Sequence, residues 1–172
     1  MLTDEQRKWI DHLSDTAKIT IVPFDPTAEE KFQKIKAIIR LKLGEEIVVE
    51  HHGATSLGIS GQDEIDIYIP VPADRFGGTL PRLTELFGEP KSHYPLARAR
   101  FTVFEGGKRI DVFLVNEEWS GWLDGLALER HLRAHPDALK EYQELKEDGN
   151  GLTVREYYRR KVEFINEILG KS

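Results

Sequence analysis

The chain has 172 residues, 40% hydrophobic and 31% charged, a composition that favours one folded domain over a disordered chain. It contains no cysteine, no apolar run of about 18 residues and no basic, apolar leader at its acidic N-terminus. We therefore expect a cytoplasmic protein without disulfides or a membrane partner. The net charge of −6 makes nucleic acid an unlikely partner, because neutralising phosphates needs a basic face.

The first half of the chain predicts two helices and two strands, separated by a loop. Apolar residues at helical spacing cover residues 3–13 and, after a short extended segment, 25–44. A strand is predicted at 47–50 and a loop at 51–58. The loop has small residues where a strand would have bulky side chains. A second strand covers 65–71, with apolar side chains at every odd position.

The second half predicts a hairpin between helices. Strand-like runs at 99–104 and 109–115 flank Gly106-Gly107, which is a hairpin signature, and Lys108 is expected in the solvated turn. Helical patterns precede and follow this hairpin. They cover residues 79–87, 123–134, 136–148 and 153–169.

This order of elements predicts an α+β fold, in which a small mixed β-sheet is flanked by helices and followed by a helical C-terminal segment. We expect one domain over residues 1–172. Its parts would be an N-terminal helix (1–17), a sheet core with an active-site turn (18–118) and C-terminal helices (119–172).

Three carboxylates stand in otherwise apolar strands. Glu64 and Asp66 lie two residues apart, so both project from the same face of their strand. Asp111 has the same setting on a later strand. If those strands are neighbours, the three carboxylates converge, and oxygen ligands of this kind suit Mg²⁺ or Mn²⁺.

A second interpretation remains open for each carboxylate. Taken singly, such a residue is more typical of a structural ion pair or of a solvated strand end. The arginines that could pair with them are Arg98, Arg100 and Arg109. Arg98 and Arg100 alternate on one strand, and could equally clamp phosphates bidentately.

The loop before the carboxylate strand has the composition of a phosphate-binding turn. Gly53, Ala54, Thr55 and Ser56 offer backbone N–H groups and two hydroxyls. An ordinary turn with a helix cap is the other interpretation. The preceding His51 and His52 could contact substrate or metal, or one of them could face inward as a hydrogen-bonded residue.

Gly53, Glu64-Ile65-Asp66-Ile67 and Asp111 together resemble the pattern of polymerase-β-like nucleotidyltransferases. More specifically, the chain resembles the bacterial GrpB (UPF0157-like) family over roughly residues 18–170. The longest matching stretch is Leu132-Arg133-Ala134-His135-Pro136, continuing to Lys146.

The resemblance implies a nucleotidyltransferase fold and metal-dependent transfer of a nucleotidyl group from a nucleoside triphosphate, with Mg²⁺ or Mn²⁺ as cofactor. The acceptor would be an unidentified hydroxyl on a small molecule or a protein. The chain departs from the family pattern in two ways. The serine usual in the family turn is Ala54 here. Many family members lack one of the acidic positions, whereas Glu64, Asp66 and Asp111 are all present in this chain.

Two other functions compete with nucleotidyl transfer. A catalytically silent nucleotide- or protein-binding module on the same fold is favoured by Ala54 and disfavoured by the retained carboxylates. Transfer of the γ-phosphate, as in a kinase, ranks last because the chain lacks a Walker motif. The sequence does not select an acceptor, a nucleobase or an oligomeric state.

Overall fold

A computed structural model describes residues 1–171 and forms a five-stranded sheet with seven helices in that range. The helices are α1 (Asp4–Asp11), α2 (Ala28–Leu43), α3 (Gly53–Leu57), α4 (Ala73–Phe87), α5 (Ser120–Ala134), α6 (Pro136–Asp148) and α7 (Val154–Leu169). The strands are β1 (Glu50–His52), β2 (Glu64–Val71), β3 (Ser92–Tyr94), β4 (Arg98–Glu105) and β5 (Lys108–Asn116). This arrangement confirms the predicted α+β class with a mixed sheet flanked by helices.

The sheet is mixed, with strand order β1-β2-β5-β4-β3. The two inner strands β2 and β5 run parallel, while every other neighbouring pair is antiparallel. A parallel pair needs a crossover connection, and here the chain makes it through α4, β3 and β4. The two strands that carry the predicted carboxylates are therefore direct neighbours.

The sheet has one apolar face and one polar face. On β2 the residues Ile65, Ile67 and Ile69 are fully buried, whereas their alternating neighbours are only half-buried. Helices α2 and α4 cover the apolar face, with Phe32 of α2 and Phe76 of α4 in the same core cluster. Because side chains alternate along a strand, Glu64 and Asp66 of β2 and Arg109 and Asp111 of β5 lie on the opposite face.

The described chain divides into two compact units. The sheet unit comprises residues 24–58 and 63–123 and contains all five strands. The helical unit comprises residues 1–23, 59–62 and the chain from Asp124 onward. A single domain over 1–172 stays a prediction, and every predicted site residue lies within the sheet unit.

The helical unit has its own apolar interior. Ile10 of α1, Leu132 of α5 and Tyr157 of α7 are almost fully buried. Thr3 begins α1 with a capping box, because its side chain accepts from the Gln6 backbone while the Gln6 side chain accepts from the Thr3 backbone. Within residues 1–171, no helix combines the length and apolar character needed to cross a bilayer.

Two predicted boundaries near the turn were wrong. The strand predicted at 47–50 is β1 at Glu50–His52, and the predicted loop at 51–58 contains the one-turn helix α3. Gly53 has a φ of +76° where the strand turns into the helix, and Gly58 ends the helix at +72°. Two glycines in left-handed geometry thus make room for a helix that composition alone presents as loop.

Three further details of the second half differ from the prediction. Helix α4 begins at Ala73, well before residue 79, and includes Gly77, Gly78 and an internal Pro81 that weaken its helical signal. The short edge strand β3 was not predicted. Lys108 is not solvated: its side chain is 8% exposed and lies 2.6 Å from Asp63, because it points to the covered face of β5.

Candidate functional site

Asp66 and Asp111 are direct partners across the two central strands. The register of the parallel pair β2–β5 places them opposite each other, and Tyr68 opposite Phe113. The rings of Tyr68 and Phe113 stack with centroids 4.6 Å apart, so these alternate residues share one face. The condition for the predicted convergence of Glu64, Asp66 and Asp111, that their two strands are neighbours, is therefore met.

Asp111 is held by an arginine on its own strand. Arg109 Nε and Nη2 donate to the two carboxylate oxygens of Asp111, at 3.2 and 2.7 Å. Thr102 Oγ1 of β4 donates to the same carboxylate at 2.7 Å. The side chain of Asp111 is only 3% exposed, and burying a polar group is costly unless it is hydrogen bonded in this way.

The same guanidinium also lies close to a second carboxylate. Arg109 Nη2 lies 3.7 Å from Glu64 Oε2. Hydrogen bonding to Asp111 raises the pKa of Arg109 above its ordinary value, and the negative charges of Asp111, Glu64 and Asp66 act in the same direction. The ion-pair interpretation that the sequence left open is thus realised at Arg109, which is hydrogen bonded to Asp111 and lies close to Glu64.

The predicted phosphate-binding turn lies directly against Asp66. A Cβ at Gly53 would overlap the Asp66 carboxylate oxygen Oδ2, so only glycine fits this approach. Thr55 Oγ1 is hydrogen bonded to His51 Nε2 at 2.8 Å, and Ser56 Oγ donates to the Gly53 carbonyl at 3.0 Å. The turn and the carboxylate strand therefore form one structural feature.

The two adjacent histidines point to opposite faces of the sheet. His51 is on the covered face, where its ring stacks on Phe32 at 5.0 Å and its Nδ1 lies 3.1 Å from a Glu29 oxygen. His52 is the register partner of Asp66 and shares its face. The inward, hydrogen-bonded role that the sequence allowed for one histidine belongs to His51, and His52 is the one placed beside the carboxylates.

Arg98 and Arg100 also lie on the polar face, but in different surroundings. Arg98 is surrounded by aromatic rings, with its guanidinium carbon 5.1 Å from the Tyr94 ring centroid and 6.0 Å from that of Trp119. Arg100 Nη1 lies 3.9 Å from Asp111 Oδ2, and its buried Nε has no hydrogen-bond partner within residues 1–171. Arg100 is therefore the arginine of this strand that adjoins the carboxylates.

Two features of the site were not anticipated. Thr102 bonds to Asp111, and Tyr68 stacks on Trp122 at 5.1 Å. The hairpin register provides a signal for Thr102, because a two-residue Gly-Gly turn pairs it with Asp111. No comparable sequence signal connects Tyr68 with Trp122, which belong to distant elements.

Comparison with known proteins identifies the family. The model of the GrpB protein family matches residues 18–171. The chain belongs to the GrpB family. The UPF0157 protein YqkA of Bacillus subtilis (strain 168) is 28% identical over 166 residues, which cover 90% of this chain and 47% of YqkA. The chain thus spans about half the length of that relative.

A solved GrpB structure shows the same fold. The conserved protein GrpB from Enterococcus faecalis superposes with a TM-score of 0.65 at 19% identity, covering 86% of this chain and 93% of that one. At this identity the similarity establishes the fold alone. It supports the mixed sheet on which the site described above is built.

The carboxylates of this GrpB chain suit a divalent cation in their chemistry. Glu64, Asp66 and Asp111 supply only oxygen donors, the preference of Mg²⁺ and Mn²⁺, and Asp66 Oδ2 lies against Gly53 where a Cβ would overlap it. Nevertheless, no three His, Cys, Asp or Glu side chains of residues 1–171 are already arranged to hold a metal ion. The donors fit, and in this arrangement Arg109 is the cation that pairs with them.

Proposed function

We propose that this chain is a cytoplasmic, metal-dependent nucleotidyltransferase that moves a nucleoside monophosphate group from a nucleoside triphosphate to a hydroxyl acceptor. One observation carries the proposal. Asp66 and Asp111 are register partners on the polar face of the central strands, and Gly53 of the preceding turn lies against Asp66. Structural ion pairs alone do not require a glycine turn packed on one of the acids.

Each residue has a role in the proposed reaction. Glu64, Asp66 and Asp111 would hold Mg²⁺ or Mn²⁺, which when bound would neutralise charge on the attacking and leaving oxygens. The turn from Gly53 to Ser56 would receive the triphosphate through its backbone N–H groups. The acceptor hydroxyl would give its proton to a carboxylate of the site, for which Asp111 is the candidate general base. Its oxygen bonds to the α-phosphorus while the bond from that phosphorus to the pyrophosphate oxygen breaks, and pyrophosphate leaves.

The arginines divide between two tasks in this proposal. Arg100 adjoins Asp111 and retains a buried Nε without a partner in the described chain, so it is suited to bind a phosphate oxygen. Arg98 is fixed among aromatic rings, where its role is to order the polar face beside the site. His52, beside Asp66, would line the acceptor or nucleotide side of the site.

A second candidate is a catalytically silent module that binds a nucleotide or a protein. Two observations favour it. The turn has Ala54 where the family pattern has serine, and Arg109 already satisfies both oxygens of Asp111. Such a module would bind nucleotide without releasing any product.

The released product separates these functions. The purified chain is incubated with Mg²⁺, each of the four nucleoside triphosphates in turn, and a pool of small hydroxyl compounds. Pyrophosphate formation that is lost in Asp66→Asn supports nucleotidyl transfer. Nucleoside diphosphate would indicate kinase activity instead, and nucleotide binding without either product would leave the silent module.

The matched control is Asp63→Asn. Asp63 is three residues away and loses the same charge, but it pairs with Lys108 rather than with the carboxylate group. This variant should release pyrophosphate at a rate close to that of the wild type. An equal loss in both variants would point to a general effect of charge or folding, and would contradict the proposed role of Asp66.

A further inference from the structure

Arg109 occupies the position between the acids that a divalent cation would need. Its fork contacts both oxygens of Asp111, and its Nη2 is also 3.7 Å from Glu64. Two cations cannot share these oxygens cheaply, because charges of the same sign repel strongly at such short distances away from bulk water. Metal binding and the Arg109 pairing are therefore alternatives.

The surroundings of Arg109 permit such an exchange. Its side chain is 41% exposed, whereas that of Asp111 is 3% exposed. The acid is thus fixed in the sheet and retained by Thr102, while the arginine can leave toward solvent without disturbing the core. A buried carboxylate that loses one cation must gain another, which the incoming metal supplies.

We propose that Arg109 is an internal counter-ion that competes with the divalent cation for Glu64 and Asp111 and is displaced when the cation binds. This inference rests on the proposed function, since it concerns the metal that the function requires. Arg109 neutralises the acids until the metal arrives. It also weakens the affinity for the metal, because the two hydrogen bonds between Arg109 and Asp111 must be broken before the metal can bind.

The test measures Mn²⁺ binding to the full chain by the loss of the electron paramagnetic resonance signal of free Mn²⁺, without any substrate. Arg109→Gln removes the competing charge and should tighten Mn²⁺ binding at least about tenfold, given the usual strength of charged hydrogen bonds. Lys108→Gln is the matched control, because it removes the same charge from the adjacent residue, whose partner is Asp63. Its affinity should stay close to that of the wild type.

The variants must remain folded for the comparison, which circular dichroism establishes. If Arg109→Gln does not fold, Arg109→Lys keeps the charge and loses the two-pronged geometry. It should also tighten Mn²⁺ binding, though by less. Equal tightening in Lys108→Gln would show a general charge effect and overturn the inference.

The outcomes separate this inference from the proposed function. If the wild type binds Mn²⁺ and Arg109→Gln binds it no more tightly, the inference is wrong while the metal-dependent function stands. If only Arg109→Gln binds Mn²⁺, Arg109 blocks the site instead of being displaced by the cation, and both the displacement and the metal-dependent function are wrong for the wild type. If neither protein binds Mn²⁺, both proposals fail.

Discussion

Both the backbone conformation and the lack of space for a Cβ favour glycine at position 53. Its φ is +76° and a Cβ would overlap Asp66 Oδ2, whereas Gly58 has a φ of +72° with open space around it. Both glycines have a positive φ, so alanine would be strained at either position, but only at Gly53 would it also displace a site carboxylate.

Gly53→Ala should therefore destabilise the fold by about 2–4 kcal/mol, and Gly58→Ala by only about 1 kcal/mol. Urea unfolding of the two variants beside the wild type measures the difference. Equal losses at both positions would show that Gly53 is required for its backbone conformation alone, and would remove the argument that the turn is fitted to Asp66.

Asp25 gives a prediction about pH. Hydrogen bonds from the Thr27 side chain, and then from Lys31, hold the pKa of Asp25 well below its ordinary value. Because the pKa is lower in the folded state than in the unfolded chain, Asp25 stabilises the fold above the unfolded value of about 3.9, and this contribution is lost as the pH falls below it.

Replacing Asp25 by Asn should therefore cost most near neutral pH, and the cost should shrink between about pH 5 and about pH 3. Asparagine keeps an oxygen that can accept from the Thr27 backbone, so the comparison isolates the charge. Unfolding free energies of both proteins across this range provide the measurement. A difference that does not change with pH would contradict the assigned cause.

At the scale of elements, glycines inside helices have opposite roles in α4 and α5. Gly78 of α4 is exposed and a Cβ there would meet nothing within 4 Å. A Cβ at Gly121 in the first turn of α5 would overlap the indole of Trp119. The same substitution should therefore have opposite signs in the two helices.

Gly78→Ala should stabilise the protein by about 0.5–1 kcal/mol, because it restricts the unfolded chain without any clash. Gly121→Ala should destabilise it by about 1–3 kcal/mol through overpacking. Thermal unfolding of both variants tests the pair of signs. A loss of stability in Gly78→Ala would contradict the conclusion that a side chain fits at this position without a clash.

Elements with strong periodicity were predictable, and those fixed by tertiary contacts were not. Helix α2 and the β4–β5 hairpin follow directly from apolar spacing and the Gly-Gly turn. Helix α3 and strand β3 are five and three residues long, too short to show a period, so only the surrounding packing and pairing identify them.

At the scale of the whole molecule, the candidate site is created by a long-range pairing. The acids of β2 and β5 become neighbours only because the two strands pair in parallel after a crossover. The sequence indicated which carboxylates were unusual, and family resemblance suggested their adjacency. It could not show that Arg109, two residues before Asp111 on the same strand, provides the bidentate partner, because the positions of the competing Arg98 and Arg100 relative to Asp111 depend on the register of the sheet.

The most direct test of the proposed function is the thermal midpoint of the wild type and of Asp66→Asn, each with Mg²⁺ and with each of the four nucleoside triphosphates. A ligand that binds only the folded state must raise the midpoint. The account predicts a metal-dependent rise with at least one triphosphate, which disappears in Asp66→Asn and persists in Asp63→Asn. No rise with any triphosphate, or a rise of the same size in Asp66→Asn, would contradict it.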